Sequence, residues 1–78
     1  METDGIEKEI LDFIGKQLLA KKEELVRLID GKVEDPVVKV EIITRELMNK
    51  GFISSVAPIG ETCYAITKKG IQFLNMRG

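Results

Sequence analysis

The sequence predicts an α+β domain: a three-helix core, a β-hairpin and a short C-terminal helix. Three observations carry this. Asp35-Pro36 opens a helix whose apolar residues Val40, Ile43 and Leu47 recur at helical spacing. Gly51 follows Lys50, where a residue without Cβ ends a helix by entering the left-handed conformation cheaply. Behind it, Phe52 to Val56 and Thr62 to Ile66 read as two strands, joined by Ala57-Pro58-Ile59-Gly60, which can turn.

Residues 1–5 are polar and are expected to fray. Asp4 can cap a first helix in which Ile6, Ile10, Phe13 and Ile14 share a face, with Glu7, Lys8, Glu9 and Asp12 on the other side. Gly15 to Leu28 can be read as one helix, or as two separated near Leu19. In the broken reading Lys16–Ala20 is an extended link and Lys22–Ile29 a second helix, although no cap residue marks the break. Asp30-Gly31 ends that helix, and Val33 is expected to tuck inward from the connection. Aspartate at position 35 can cap free backbone N–H groups, and Pro36 suits the first helical position. After the hairpin, Thr67 is a plausible N-cap for a last helix, packed by Ile71, Phe73 and Leu74. The tail from Asn75 to Gly78 is expected to be loose.

At 78 residues the chain makes one small domain, and its stability is expected to be modest unless it dimerises. With 44% hydrophobic and 32% charged residues it has the composition of an ordinary globule. The formal net charge of −1 exerts no general attraction for nucleic acid. One cysteine and no histidine exclude an intramolecular disulfide, a Cys/His zinc site and the histidine-dependent triads. No phosphate-cradling glycine loop or nucleophile elbow is present, so neither an enzyme nor a cofactor is expected. The acidic start is unlike a signal peptide, and no segment has the roughly 18–20 apolar residues of a membrane span. A cytoplasmic protein is the expectation. Cys63 and Tyr64 alternate along a strand, so one of them should face inward, and the cysteine reads as a small packing residue.

The segment Glu46-Leu47-Met48-Asn49-Lys50-Gly51-Phe52-Ile53 and the later Tyr64-Ala65-Ile66-Thr67-Lys68-Lys69-Gly70-Ile71-Gln72-Phe73-Leu74 together resemble small archaeal and bacterial single-domain winged helix-turn-helix proteins of the transcription-regulator type. The resemblance covers residues 6–74, and it favours the break near Leu19, since in such proteins an extended link follows the first helix and a Lys/Glu-rich second helix comes after it. It implies that the helix from Pro36 to Lys50 lies in a DNA major groove while the hairpin touches the neighbouring backbone or minor groove. The groove-facing set it implies is Lys39, Ile42, Arg45 and Asn49, with Val38 near the helix start. Its wing tip would be Pro58 to Thr62. Glu61 without any Arg or Lys departs from the basic wings of many relatives, and the connection at residues 31–34 is longer than a tight helix-turn-helix turn.

At about 100° per residue, Val38, Ile42, Arg45 and Asn49 fall opposite the buried row. Arg45 and Asn49 are groove-reading types, able to pair with guanine and adenine, and Val38 or Ile42 can touch a thymine methyl. Glu41 and Glu46 flank this row and would repel phosphates. Lys68, Lys69 and Arg77 form a basic end able to hold phosphates, and Lys16, Lys21 and Lys22 form a second cluster. Fold alone does not decide function. An exposed Val38–Ile42 pair equally suits a protein-docking module, a subunit of a larger assembly, or a homodimer. Leu11 and Leu18 of the first helix are further dimer candidates.

Overall fold

The first helix, α1, runs over Glu2–Gln17 in the computed structural model, which describes residues 2–57 and 60–77. It begins two residues before the expected Asp4 cap. Ile10 and Ile14 are fully buried, with Ile6 and Phe13 partly so, as the periodicity predicts. Leu11 is only 1% exposed, so it belongs to the core and cannot serve as a dimer contact. The reason is tertiary: α1 touches the sheet, the second helix and the last helix, so its buried arc is wider than a single stripe.

The chain breaks at Leu18, whose φ of 69° lies in the left-handed region. Its N–H still donates to the Ile14 carbonyl at 2.7 Å. Strand β1 follows over Leu19–Lys21, and α2 over Lys22–Ile29. The favoured break is therefore present, although α1 takes two residues expected in the link. Glu24 accepts a hydrogen bond from the backbone N–H of Lys21 at 3.0 Å, the reciprocal half of a capping box. Asp30 ends α2, Gly31 takes a φ of 90°, and Val33 packs against the core while bridging back to Asp30.

Helix α3 spans Pro36–Asn49, with Asp35 at the N-cap position and Pro36 inside the first turn. The Asp35 side chain makes no capping hydrogen bond. The expected position is right but the expected bond is absent, and only the Asp35 carbonyl, receiving Lys39 N–H at 2.9 Å, is engaged. Val40, Ile43 and Leu47 are buried, joined by Thr44, whose hydroxyl donates to the Val40 carbonyl at 2.7 Å. At the far end, Gly51 N–H donates to Met48 and Phe52 N–H to Leu47, both at 3.0 Å. With Gly51 at φ 83° this is a Schellman ending.

Strands β2 (Ile53–Val56) and β3 (Cys63–Ile66) pair antiparallel, and β1 joins the other edge of β3, giving the order β1-β3-β2. Pro58 and Ile59 of the expected turn lie outside the described residues. One of the pair faces the core, as the alternation predicts, although Cys63 and Tyr64 are both buried. Tyr64 faces the core, whereas Cys63 is buried without joining the core cluster. As a small side chain on the central strand, it is flanked in register by Lys21 on one side and Val56 on the other.

The last helix, α4, spans Lys68–Arg77 and so includes Asn75 and Met76 of the tail. The Thr67 hydroxyl accepts the Gly70 N–H at 3.0 Å, the expected cap, and donates to the Gly51 carbonyl at 2.6 Å. That second bond ties α4 to the end of α3. Phe73 and Leu74 pack inward, with Phe73 stacked on Phe52 at 4.5 Å between ring centroids. Ile71 does not pack as expected and is 42% exposed, because α4 rests chiefly on α1 and presents it a narrow face.

Among the described residues the fold is thus α+β, with four helices and one three-stranded antiparallel sheet around a core drawn from α1, α2, α3 and the strands. No helix among them is long and apolar enough to cross a membrane.

Candidate functional site

Burying Val40, Ile43, Thr44 and Leu47 against α2 and β2 turns the opposite side of α3 outward. Val38, Ile42, Arg45 and Asn49 are all exposed there, with Lys39 half-buried beside them. By helix geometry the row from Val38 to Asn49 is about 16 Å long. Val38 is 52% exposed and Ile42 47%, and Val37, next to Val38 in the chain, is exposed as well. A shallow groove of about 320 Å³ runs along this side, lined by Val33, Glu34, Asp35, Val38, Lys39 and Ile42.

The cations divide into two groups. Lys8 bridges Asp12 at 3.2 Å, Lys50 bridges Glu7 at 3.2 Å, and Lys32 bridges Glu9. Lys22 donates to Glu41 at 2.7 Å, and Lys21 lies 3.5 Å from Glu61. Among the described residues, Lys39, Arg45, Lys68 and Lys69 make no ion pair, and neither do Lys16 and Arg27. Most of the predicted contact set is therefore carried by cations that intramolecular carboxylates leave unengaged.

One further expectation changes. Lys16, Lys21 and Lys22 do not act as one basic cluster: two are paired, while Lys16 lies on α1 in a groove beside Ile71 and Leu74. Lys69, of the expected basic end, is exposed, with its Nζ 5.9 Å from the centre of the Phe52 ring, beside the glycine that ends α3. Lys68 is exposed on the first turn of α4. The side chain of Arg77, assigned to the same basic end, lies outside the described residues.

The acidic flank is partly neutralised. The hydrogen bond from Lys22 holds the Glu41 carboxyl below its ordinary range, with Arg45 one turn away adding a smaller attraction. The same bond raises Lys22 above its ordinary value, against the opposing effect of desolvation. Glu61, the acidic residue near the hairpin tip, is countered by Lys21. Between α2, the first turn of α3 and the hairpin lies a second open groove of about 490 Å³, with Val26 and Val37 on its walls and Arg27 at its rim. The sequence offers no signal for it, since Val26 and Val37 look like ordinary helix-packing residues. Among the described residues, no group of three or more His, Cys, Asp or Glu side chains is placed to hold a metal ion.

No family model matches the chain, and neither the curated proteins nor the solved structures give a match.

Proposed function

We propose that the chain is a small winged-helix DNA-binding protein, a transcription regulator that places α3 in the major groove. The order helix, short strand, helix, helix, hairpin, with the short strand joining the hairpin's sheet, supports the winged-helix reading. The observation that carries the functional reading is the division of the cations. Carboxylates engage lysines elsewhere, while Lys39 and Arg45 on α3 and Lys68 and Lys69 on α4 keep their charge available for phosphates or base edges. Arg45 and Asn49 supply groove-reading chemistry at the C-terminal half of the row. The exposed Val38 and Ile42 can touch thymine methyls.

The test is an NMR titration of labelled protein with a mixed-sequence duplex at low salt. Shifts concentrated at Lys39, Ile42, Arg45 and Asn49 are expected, weakening as salt rises through counterion release. Arg45→Ala should weaken binding and, where it removes a phosphate contact, lower the salt slope by about one. An unmoved spectrum at millimolar duplex overturns the reading.

The exposed Val37, Val38 and Ile42 favour a second reading, a winged-helix module that docks on another protein. That binding would persist at moderate salt and fail on Ile42→Glu, with Arg45→Ala having little effect.

A further inference from the structure

The outward face of α3 carries a pattern that groove reading does not require. Val38, Ile42, Arg45 and Asn49 recur along α3 at spacings of four, three and four, the seam along which two helices pack lengthwise, and Asp35 stands three residues before Val38 at the N-cap position. All five are exposed. Val38 and Ile42 are apolar, with Asp35 before them, Arg45 after them and the neutral Asn49 beyond. The Asp35 side chain makes no cap hydrogen bond, and Arg45 makes no ion pair among the described residues, its attraction to Glu41 one turn away being the weaker part of what acts on that carboxylate.

A second copy laid antiparallel, with the two-fold axis at the level of Val40, sets Val38 against Ile42 of the second copy and Asp35 against its Arg45. Symmetry repeats both contacts. A two-fold interface must be complementary to itself in this way. Parallel packing in register would oppose Asp35 to Asp35 and Arg45 to Arg45, so the two charges on the seam favour the antiparallel arrangement. Like charges meet on the two rims, Lys39 with Lys39 and Glu41 with Glu41. The Lys22 bond offsets the Glu41 repulsion, and the Lys39 pair is open to solvent and salt.

We propose that this face of α3 binds a second copy of the same chain through the Asp35–Val38–Ile42–Arg45 seam, forming a weak, reversible antiparallel dimer. The dimer covers Val38, Ile42 and Arg45 of the α3 face assigned above to DNA, so self-association and groove insertion exclude each other. Only this last consequence rests on the DNA reading.

Sedimentation of the full chain without DNA, from micromolar to millimolar concentration, tests the dimer. The expected result is a concentration-dependent monomer–dimer equilibrium. Asp35→Arg and Arg45→Asp, each alone, should raise the dimer dissociation constant about tenfold or more, because each opposes like charges twice. Mixed in equal amounts, the two variants should recover the dimer, since the hybrid restores an Arg–Asp pair at both ends. Ile42→Glu should remove the dimer. Circular dichroism checks that each variant is folded, and Arg45→Asp and Ile42→Glu alter exposed positions in case Asp35→Arg unsettles the start of α3.

A wild type that stays monomeric at millimolar concentration overturns the proposal. So does a dimer unaffected by Ile42→Glu, or one whose charge-swapped variants fail to rescue each other. DNA binding by a strictly monomeric protein would sink the dimer alone. A dimer with cross-rescue but no DNA binding would sink the regulator reading alone.

Discussion

Gly70 provides a direct test of how α4 is seated. A Cβ at this position would fall 2.2 Å from the Phe52 carbonyl oxygen, 2.8 Å from Ile66 Cδ1 and 3.1 Å from the Phe52 carbonyl carbon. The Ile66 methyl can swing away. The Phe52 carbonyl cannot move freely, because it accepts the Thr67 N–H at 3.0 Å and its own ring is stacked on Phe73. Helix propensity favours Gly70→Ala by about 1 kcal/mol. Overpacking opposes it by about 1–3 kcal/mol, and a contact this short with backbone belongs at or above the upper end. Net destabilisation of about 2 kcal/mol is expected. For a domain of this size that lowers Tm by about 8–16 °C. Thermal unfolding followed by circular dichroism measures it, with Gly5→Ala as the control. A Cβ added at Gly5 would meet no atom within 4 Å, so that substitution should leave Tm unchanged or raise it. A Gly70→Ala protein as stable as wild type would refute the packing described for α4.

Two more outcomes follow from the geometry. Leu18 is 62% exposed and left-handed, so Leu18→Gly relieves about 1–2 kcal/mol of steric cost against an unfolded-state penalty of about 0.5–1 kcal/mol. A small rise in the urea midpoint is expected, and a fall would show that the Leu18 side chain holds the junction. The Lys22–Glu41 pair sets a pH dependence with a definite sign. Glu41, held below its ordinary range, contributes above that range and loses the contribution as pH falls through its folded pKa. Lys22, raised, contributes fully below the ordinary lysine value and loses it as pH climbs through its folded pKa. Stability from this pair is therefore level around neutrality and declines at both extremes. Lys22→Met should return Glu41 toward its ordinary carboxyl value in an NMR titration, and an unmoved Glu41 would exclude the ion pair in solution.

The candidate site was legible in part. Helical periodicity alone separates the buried row of α3 from Val38, Ile42, Arg45 and Asn49, because one helix packed on one core can bury only one side. Which lysines remain available was not legible. The engaged pairs Lys22–Glu41, Lys32–Glu9 and Lys50–Glu7 join residues 19, 23 and 43 positions apart, beyond any local rule. The break at Leu18 carries a weak local signal too, since Lys21 is not a usual capping residue and only Glu24, three positions on, reaches back to its N–H.

By itself the sequence determined the features whose physics is local. Gly51 stops α3 because glycine tolerates a positive φ, and Thr67 starts α4 because its hydroxyl lies within reach of the Gly70 N–H. Pro36 suits a first helical turn, and the two strands of the hairpin follow from short β-prone runs. Tertiary structure decided the rest. Leu11 is buried because α1 is covered from several directions, and Ile71 is exposed because α4 is covered from few. Cys63 is buried by neighbours on both strands beside it, although it alternates with a core tyrosine. Gly70 is needed where a distant carbonyl approaches it, and nothing near position 70 in the chain announces that approach. Burial and charge pairing depend on what the fold brings alongside a residue, and that is a property of the packed whole.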